Sequence, residues 1–101
     1  MNREECLKMA DQCVNHDRQD QYGNAENNFD IIARLWETYI DAKGWAINLT
    51  PHDVAVMMCL LKIARIATGA PKEDSWVDAC GYMACGCELQ TGKDGMIALG
   101  A

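Results

Sequence analysis

The sequence predicts an all-α protein, a small four-helix bundle that assembles into an oligomer. Three observations carry this. Apolar residues recur at three- and four-residue spacing along most of the chain, no stretch alternates apolar and polar as a half-buried strand does, and Gly or Pro separates the periodic segments. With 101 residues, half of them hydrophobic and 24% charged, the chain has material for one core. It reads as a single helical domain over residues 1–90 and a C-terminal tail over 91–101, loose or docked on a neighbour, with three glycines and no clear period.

Charge and hydropathy narrow the setting. A formal net charge of −6 argues against a nucleic-acid polymer or an anionic membrane surface as partner, since both need clustered Lys and Arg. Small ligands stay open, because a pocket can be locally basic inside an acidic protein. The longest apolar run, Val54 to Leu61, is far short of the roughly 20 residues that span a bilayer. The polar start Met1-Asn2-Arg3-Glu4-Glu5 lacks the hydrophobic centre of a signal peptide, so a cytoplasmic protein with six reduced cysteines is expected. Cys85 and Cys87 on one helix point about 200° apart and cannot share an ion. Together with Cys80 they read as small apolar residues rather than metal ligands.

The first helix is expected from about Arg3 to His16, with Cys6, Met9, Ala10, Cys13 and Val14 on its apolar face. Residues 17–24 form a polar loop in which Arg18, Gln21 and Tyr22 stand out as groups able to meet a ligand. The second helix, Ala25 to Ala42, carries Phe29, Ile32, Ala33, Trp36, Tyr39 and Ile40 on one stripe, and Gly44 ends it. Trp45, Ile47 and Leu49 are expected to fold back on the core.

The central helix runs from Thr50 to Gly69. Thr50 can cap the first turn, Pro51 fits the first helical position, and Asp53 lies three residues after the cap. Gly69 is expected to take a left-handed C-terminal position. The helix is apolar nearly all round and must be covered on nearly all sides, which is the reason to expect a second subunit. The last helix should begin near Asp74 or Ser75 and run to about Gln90. Its two glycines, Gly81 and Gly86, each cost roughly 1 kcal/mol against Ala, so close approach by another backbone is the expected return.

Lys62 and Arg65 lie one turn apart and face nearly the same way on that apolar central helix. Two readings stand side by side: cations snorkelling near a helix C-terminus, or a phosphate clamp in which Arg65 gives a planar fork and Lys62 a point charge. Asp74 and Asp78, with Tyr82 continuing their line, share a face of the last helix. They can hold Mg²⁺ together with phosphate oxygens, or serve as acids favoured by a helix N-terminus. Asp53 carries the same pair of readings. Trp76, beside the two acids, is a candidate pocket wall, whereas Trp36 reads as core. His16 and His52 have no partner at metal-ligand spacing, and no Ser-His-Asp set, Walker loop or dinucleotide fingerprint is present.

The segments Arg18-Gln19-Asp20-Gln21-Tyr22-Gly23, Ala33-Arg34-Leu35-Trp36, Asp53 to Arg65 and Asp74 to Tyr82 resemble those of a family of small phage-borne helical proteins. That family is similar, more distantly, to the MazG-like all-α nucleoside triphosphate pyrophosphohydrolases, which pair helices into oligomeric bundles and use Mg²⁺. The resemblance implies a MazG-like bundle, a location in the host cytosol and, by analogy with phage anti-defence proteins, sequestration of a nucleotide signal. The pyrophosphohydrolase pattern supplies about four carboxylates, Glu-x-x-Glu and Glu-x-x-Asp. This chain offers Asp53, Asp74 and Asp78, with Val56 and Met57 where another acid would fall.

The leading expectation is therefore a phage protein that binds a phosphate-containing nucleotide between the helices of an oligomer, through Arg18, Gln21, Tyr22, Lys62, Arg65, Trp76 and Tyr82. No catalytic residue is assigned to it. The first alternative is a Mg²⁺-dependent nucleotide pyrophosphohydrolase with Asp53, Asp74 and Asp78 as metal ligands. The second is a non-catalytic regulatory or structural binding module in which every charge named here is a helix cap or a core salt bridge.

Overall fold

The computed structural model describes residues 1–17 and 25–92. Among these residues the chain forms four α-helices and no strand: α1 (Arg3–Gln12), α2 (Ala25–Ala42), α3 (Pro51–Thr68) and α4 (Glu73–Thr91). The all-α expectation therefore holds. The expected tail beyond Gly92 lies outside the described residues.

Helix α1 is capped by Asn2, whose side chain accepts from the Glu5 backbone N–H at 2.8 Å. It is shorter than the periodicity suggests, because Cys13–Asp17 widens into a π-helical turn instead of completing the helix. Helix α2 has the expected bounds, and Gly44 after it adopts φ +91°, a backbone angle that favours glycine. Helix α3 opens on the anticipated capping box: the Thr50 hydroxyl accepts from the Asp53 N–H at 3.2 Å, and the Asp53 carboxylate accepts from the Thr50 N–H at 2.9 Å.

Three local expectations are corrected. Gly69 ends α3 in an extended conformation, φ −101° and ψ 177°, with its N–H donated to the Arg65 carbonyl, so no left-handed residue is needed there. Helix α4 starts one residue earlier than Asp74, with Lys72 at the cap position and no side-chain cap. Glu73 and Asp74 then occupy the first turn, where the helix dipole favours acids. Of the connector residues, only Leu49 folds into the core, while Trp45 and Ile47 are 73% and 49% exposed.

The centre of the core is Phe29, Ala33, Leu49, Val54 and Ala55, flanked by half-buried Trp36, Met58, Tyr82 and Leu89. The Phe29 and Tyr82 rings lie 6.3 Å apart and tilted by 35°. Among the described residues α3 and α4 share the most extensive contact, while α1 packs on α4 and α2 on α3. Gly86 allows the close approach of α4 to α3, and Gly81 that of the π-helical turn to α4. A Cβ on Gly86 would stand 3.2 Å from the Ala55 Cβ, and one on Gly81 would stand 2.9 Å from Cγ1 of Val14 in the π-helical turn. The return expected for two helical glycines is close approach by another backbone; the neighbours found are instead side-chain atoms, Cβ of Ala55 and Cγ1 of Val14.

Candidate functional site

Helix geometry places Lys62 in the middle of the packed face of α3, level with Met58 and Ile66. Its side chain is 14% exposed, and its ammonium meets Asp78 of α4, Nζ to Oδ2 2.7 Å. Asp78 is 35% exposed. Of the readings made from sequence alone the core salt bridge describes this arrangement, because the lysine neither snorkels freely nor stands bare. It crosses the α3–α4 seam and neutralises an acid.

Asp78 also borders a cleft of about 100 Å³ shared with Cys13, Val14, Gly81, Tyr82 and Cys85. An ion pair, an aromatic ring and a mostly apolar floor thus converge where the π-helical turn meets α4. Arg65, one turn beyond Lys62, is exposed and makes no ion pair among the described residues. The expected clamp is therefore divided into one cation already engaged and one open to a ligand.

The other anticipated site residues are dispersed. Trp76 is 58% exposed and borders a different cleft, of about 290 Å³, with Asn2, Arg3, Cys6 and Glu73. Trp76 and Tyr82 therefore belong to separate clefts. Asp53 is committed to the capping box, and the Thr50 backbone N–H followed by the Thr50 hydroxyl holds its carboxyl below the usual aspartate range. Asp74 sits exposed in the first turn of α4. Among the described residues no three His, Cys, Asp or Glu side chains are grouped so as to hold a metal ion. Arg18, Gln21 and Tyr22 lie outside the described residues.

Two arrangements were not anticipated. The Arg34 guanidinium pairs with Glu37 at 3.0 Å and donates to the Leu49 carbonyl, while the Leu49 N–H donates to Glu37. This latch fixes the connector along α2 and brings Leu49 into the core. The Arg-x-x-Glu spacing is a visible signal for the ion pair, although not for its main-chain partner. The second is a group of thiols between α1, α3 and α4: burial, then the nearby Cys6 and Cys59, pushes the Cys80 thiol up from its ordinary pKa. Such a thiol is a poor nucleophile.

A family model described as a domain of unknown function, DUF6378, matches residues 5–90. The chain belongs to this family. It is 40% identical over 88 residues to the Gene 55 protein of Mycobacterium phage L5, covering 87% of this chain and 54% of that protein. With the Gene 55 protein of Mycobacterium phage D29 it shares 33% identity over 82 residues, covering 81% of this chain and 51% of that one. The chain thus spans about half the length of the curated relatives it matches, and the family is a phage protein family of unknown function. No solved structure matches. Among the described residues no helix is long and apolar enough to cross a membrane.

Proposed function

We propose that this DUF6378 chain is a phage nucleotide-binding protein of the host cytosol, which sequesters a phosphate-containing ligand between helices of an oligomer without turning it over. The observation that carries the reading is the seam itself. Lys62 and Asp78 form a half-buried pair at a cleft beside Tyr82, and Arg65 offers an exposed guanidinium one turn away. In this reading Arg65 binds phosphate through its planar fork, Tyr82 flanks the base, and Asp78, held by Lys62, accepts a hydrogen bond from the nucleoside. Arg18, Gln21 and Tyr22 complete the ligand set from outside the described residues. Trp76, bordering another cleft, is left out of it.

A cleft of about 100 Å³ is well below the roughly 300–1,000 Å³ of ordinary ligand sites, so a nucleotide needs walls beyond those that the described residues supply, from the Arg18 to Tyr22 segment or from a second copy. The MazG-like alternative, Mg²⁺-dependent hydrolysis, asks Asp53, Asp74 and Asp78 to act together. Asp53 is used in a helix cap and Asp78 in an ion pair with Lys62, which favours binding over hydrolysis.

Heating the purified protein and analysing the released small molecules by mass spectrometry tests the reading. An intact nucleotide is expected. Replacing Arg65 by Ala should weaken rebinding about ten- to a hundred-fold, the equivalent of a charge-assisted contact worth roughly 1.5–3 kcal/mol, with helicity unchanged. Mg²⁺-dependent release of pyrophosphate, abolished in Asp78→Asn, would replace sequestration by catalysis. Rebinding unaffected by Arg65→Ala would remove the proposed phosphate contact.

A further inference from the structure

Of the thiols gathered where α1, α3 and α4 meet, the packing singles out two. On α1, Arg3, Cys6 and Ala10 recur at helical spacing, and on α4 so do Glu73, Trp76 and Cys80. These two faces meet at both ends. Arg3 and Cys6 line one cleft with Glu73 and Trp76, and Val14, just past α1, seats on Gly81. The helices therefore run side by side in the same direction, with Ala10 and Val77 buried between those two points. Cys6, beside Trp76, is thus brought to Cys80 one turn further along α4, and the two thiols are hydrogen-bonding neighbours.

The two are not equally reachable. Both are half-buried, but Cys6 lines the cleft of about 290 Å³ and Cys80 does not. Cys59, the third thiol of the group, is only 7% exposed on α3. A small molecule that enters the cleft therefore meets Cys6 first.

We infer that Cys6 and Cys80 form a reversible disulfide pair, oxidised by hydrogen peroxide that enters at Cys6, and that their bond staples α1 to α4. The Cys6 sulfur attacks one peroxide oxygen and the O–O bond breaks, leaving Cys6 sulfenic acid and releasing water that carries off the thiol proton. The Cys80 sulfur then attacks the sulfenic sulfur. The S–O bond breaks, and the hydroxyl leaves with the Cys80 proton as a second water, so two electrons have passed from the thiols to one peroxide. Burial holds the Cys80 thiol above its ordinary pKa, which keeps it from reacting with peroxide on its own account. Contact with Cys6 makes its later attack intramolecular, and that offsets its weak nucleophilicity. The inference is independent of any ligand at the Asp78 cleft.

Treating the full, reduced chain at low micromolar concentration with equimolar hydrogen peroxide, then blocking free thiols and mapping peptides by non-reducing mass spectrometry, tests this. The expected product is a monomer that has lost two of its six thiols, with Cys6 joined to Cys80 and the bond reversed by dithiothreitol. Its helicity should be unchanged and its melting temperature raised by about ten degrees. Cys6→Ala and Cys80→Ala should each abolish the cross-link, and Cys59→Ala should keep it. Cys6 that runs on to sulfinic acid in the unaltered protein without a cross-link would overturn the pair. So would a cross-link from Cys80 to Cys59, a first oxidation at the exposed Cys87 with Cys6 untouched, or a cross-link that persists in Cys6→Ala.

Discussion

Two ion pairs hold two parts of this molecule, and they work differently. Lys62–Asp78 joins separate helices across a seam that Gly86 makes narrow, whereas Arg34–Glu37 lies within one helix and reaches the chain that follows it. The first is mostly withdrawn from water on the lysine side. The second has a guanidinium 53% exposed, and its value lies in the two main-chain groups of Leu49 that it satisfies. A charge that crosses a seam resists removal because its partner is stranded. A charge on a surface matters through the backbone it holds.

The sharpest way to break the contrast is to widen the seam. Gly86→Val pushes a branched side chain toward the Ala55 Cβ, which is fixed to its backbone and cannot rotate away. A loss of roughly 2–3 kcal/mol in denaturant unfolding is expected, partly recovered by adding Ala55→Gly. Next comes Lys62→Met, which keeps the apolar stem and leaves Asp78 unpaired. Because Asp78 is about one-third exposed, the cost should be below that of a fully buried pair, about 1–3 kcal/mol, and the double change Lys62→Met with Asp78→Leu should recover most of it. Arg34→Ala should cost only about 1 kcal/mol by the same measurement, but should speed amide exchange at Leu49. If Arg34→Ala proves costlier than Lys62→Met, the contrast is reversed.

The smallest effect concerns acid. The folded-state carboxyl of Asp53 titrates below its unfolded value, so its contribution to stability is present above the ordinary aspartate range, near pH 3.9, and is lost as pH falls through the lowered value. Asp53→Asn should remove that part of the acid limb in a pH series of thermal melts while leaving the neutral-pH midpoint within a few degrees. An unchanged acid limb would show that the cap contributes nothing through its charge.

What the sequence disclosed follows the range of the interactions. The bounds of α2 and the cap of α3 rest on neighbours a few positions apart, Gly44 in one case and Thr50, Pro51 and Asp53 in the other. The close approaches at Gly81 and Gly86 were legible as a need, since glycine inside a helix asks for a reason, but not as the particular contacts with Val14 and Ala55. The carboxylate that meets Lys62 was not legible, because a helical wheel gives a direction and not the element found there. The start expected near Asp74 or Ser75 is late because the acids at 73 and 74 are favoured in the first turn in their own right. For the candidate site, the wheel places Lys62 and Arg65 together, and only the packing shows that Lys62 is paired with Asp78 while Arg65 is exposed.

The contact of Val14 with Gly81 has a kinetic consequence. Helices α3 and α4 are consecutive, joined through residues 69–72, so their seam closes a short loop at small entropic cost. Seating Val14 on Gly81 closes a loop of about two-thirds of the chain, and the search for that contact is correspondingly long. The hairpin of α3 and α4 should therefore form first, with its ion pair in place, and α1 should dock last on a glycine surface already prepared. Substitutions at Val14 would then quicken unfolding and leave the refolding rate nearly untouched.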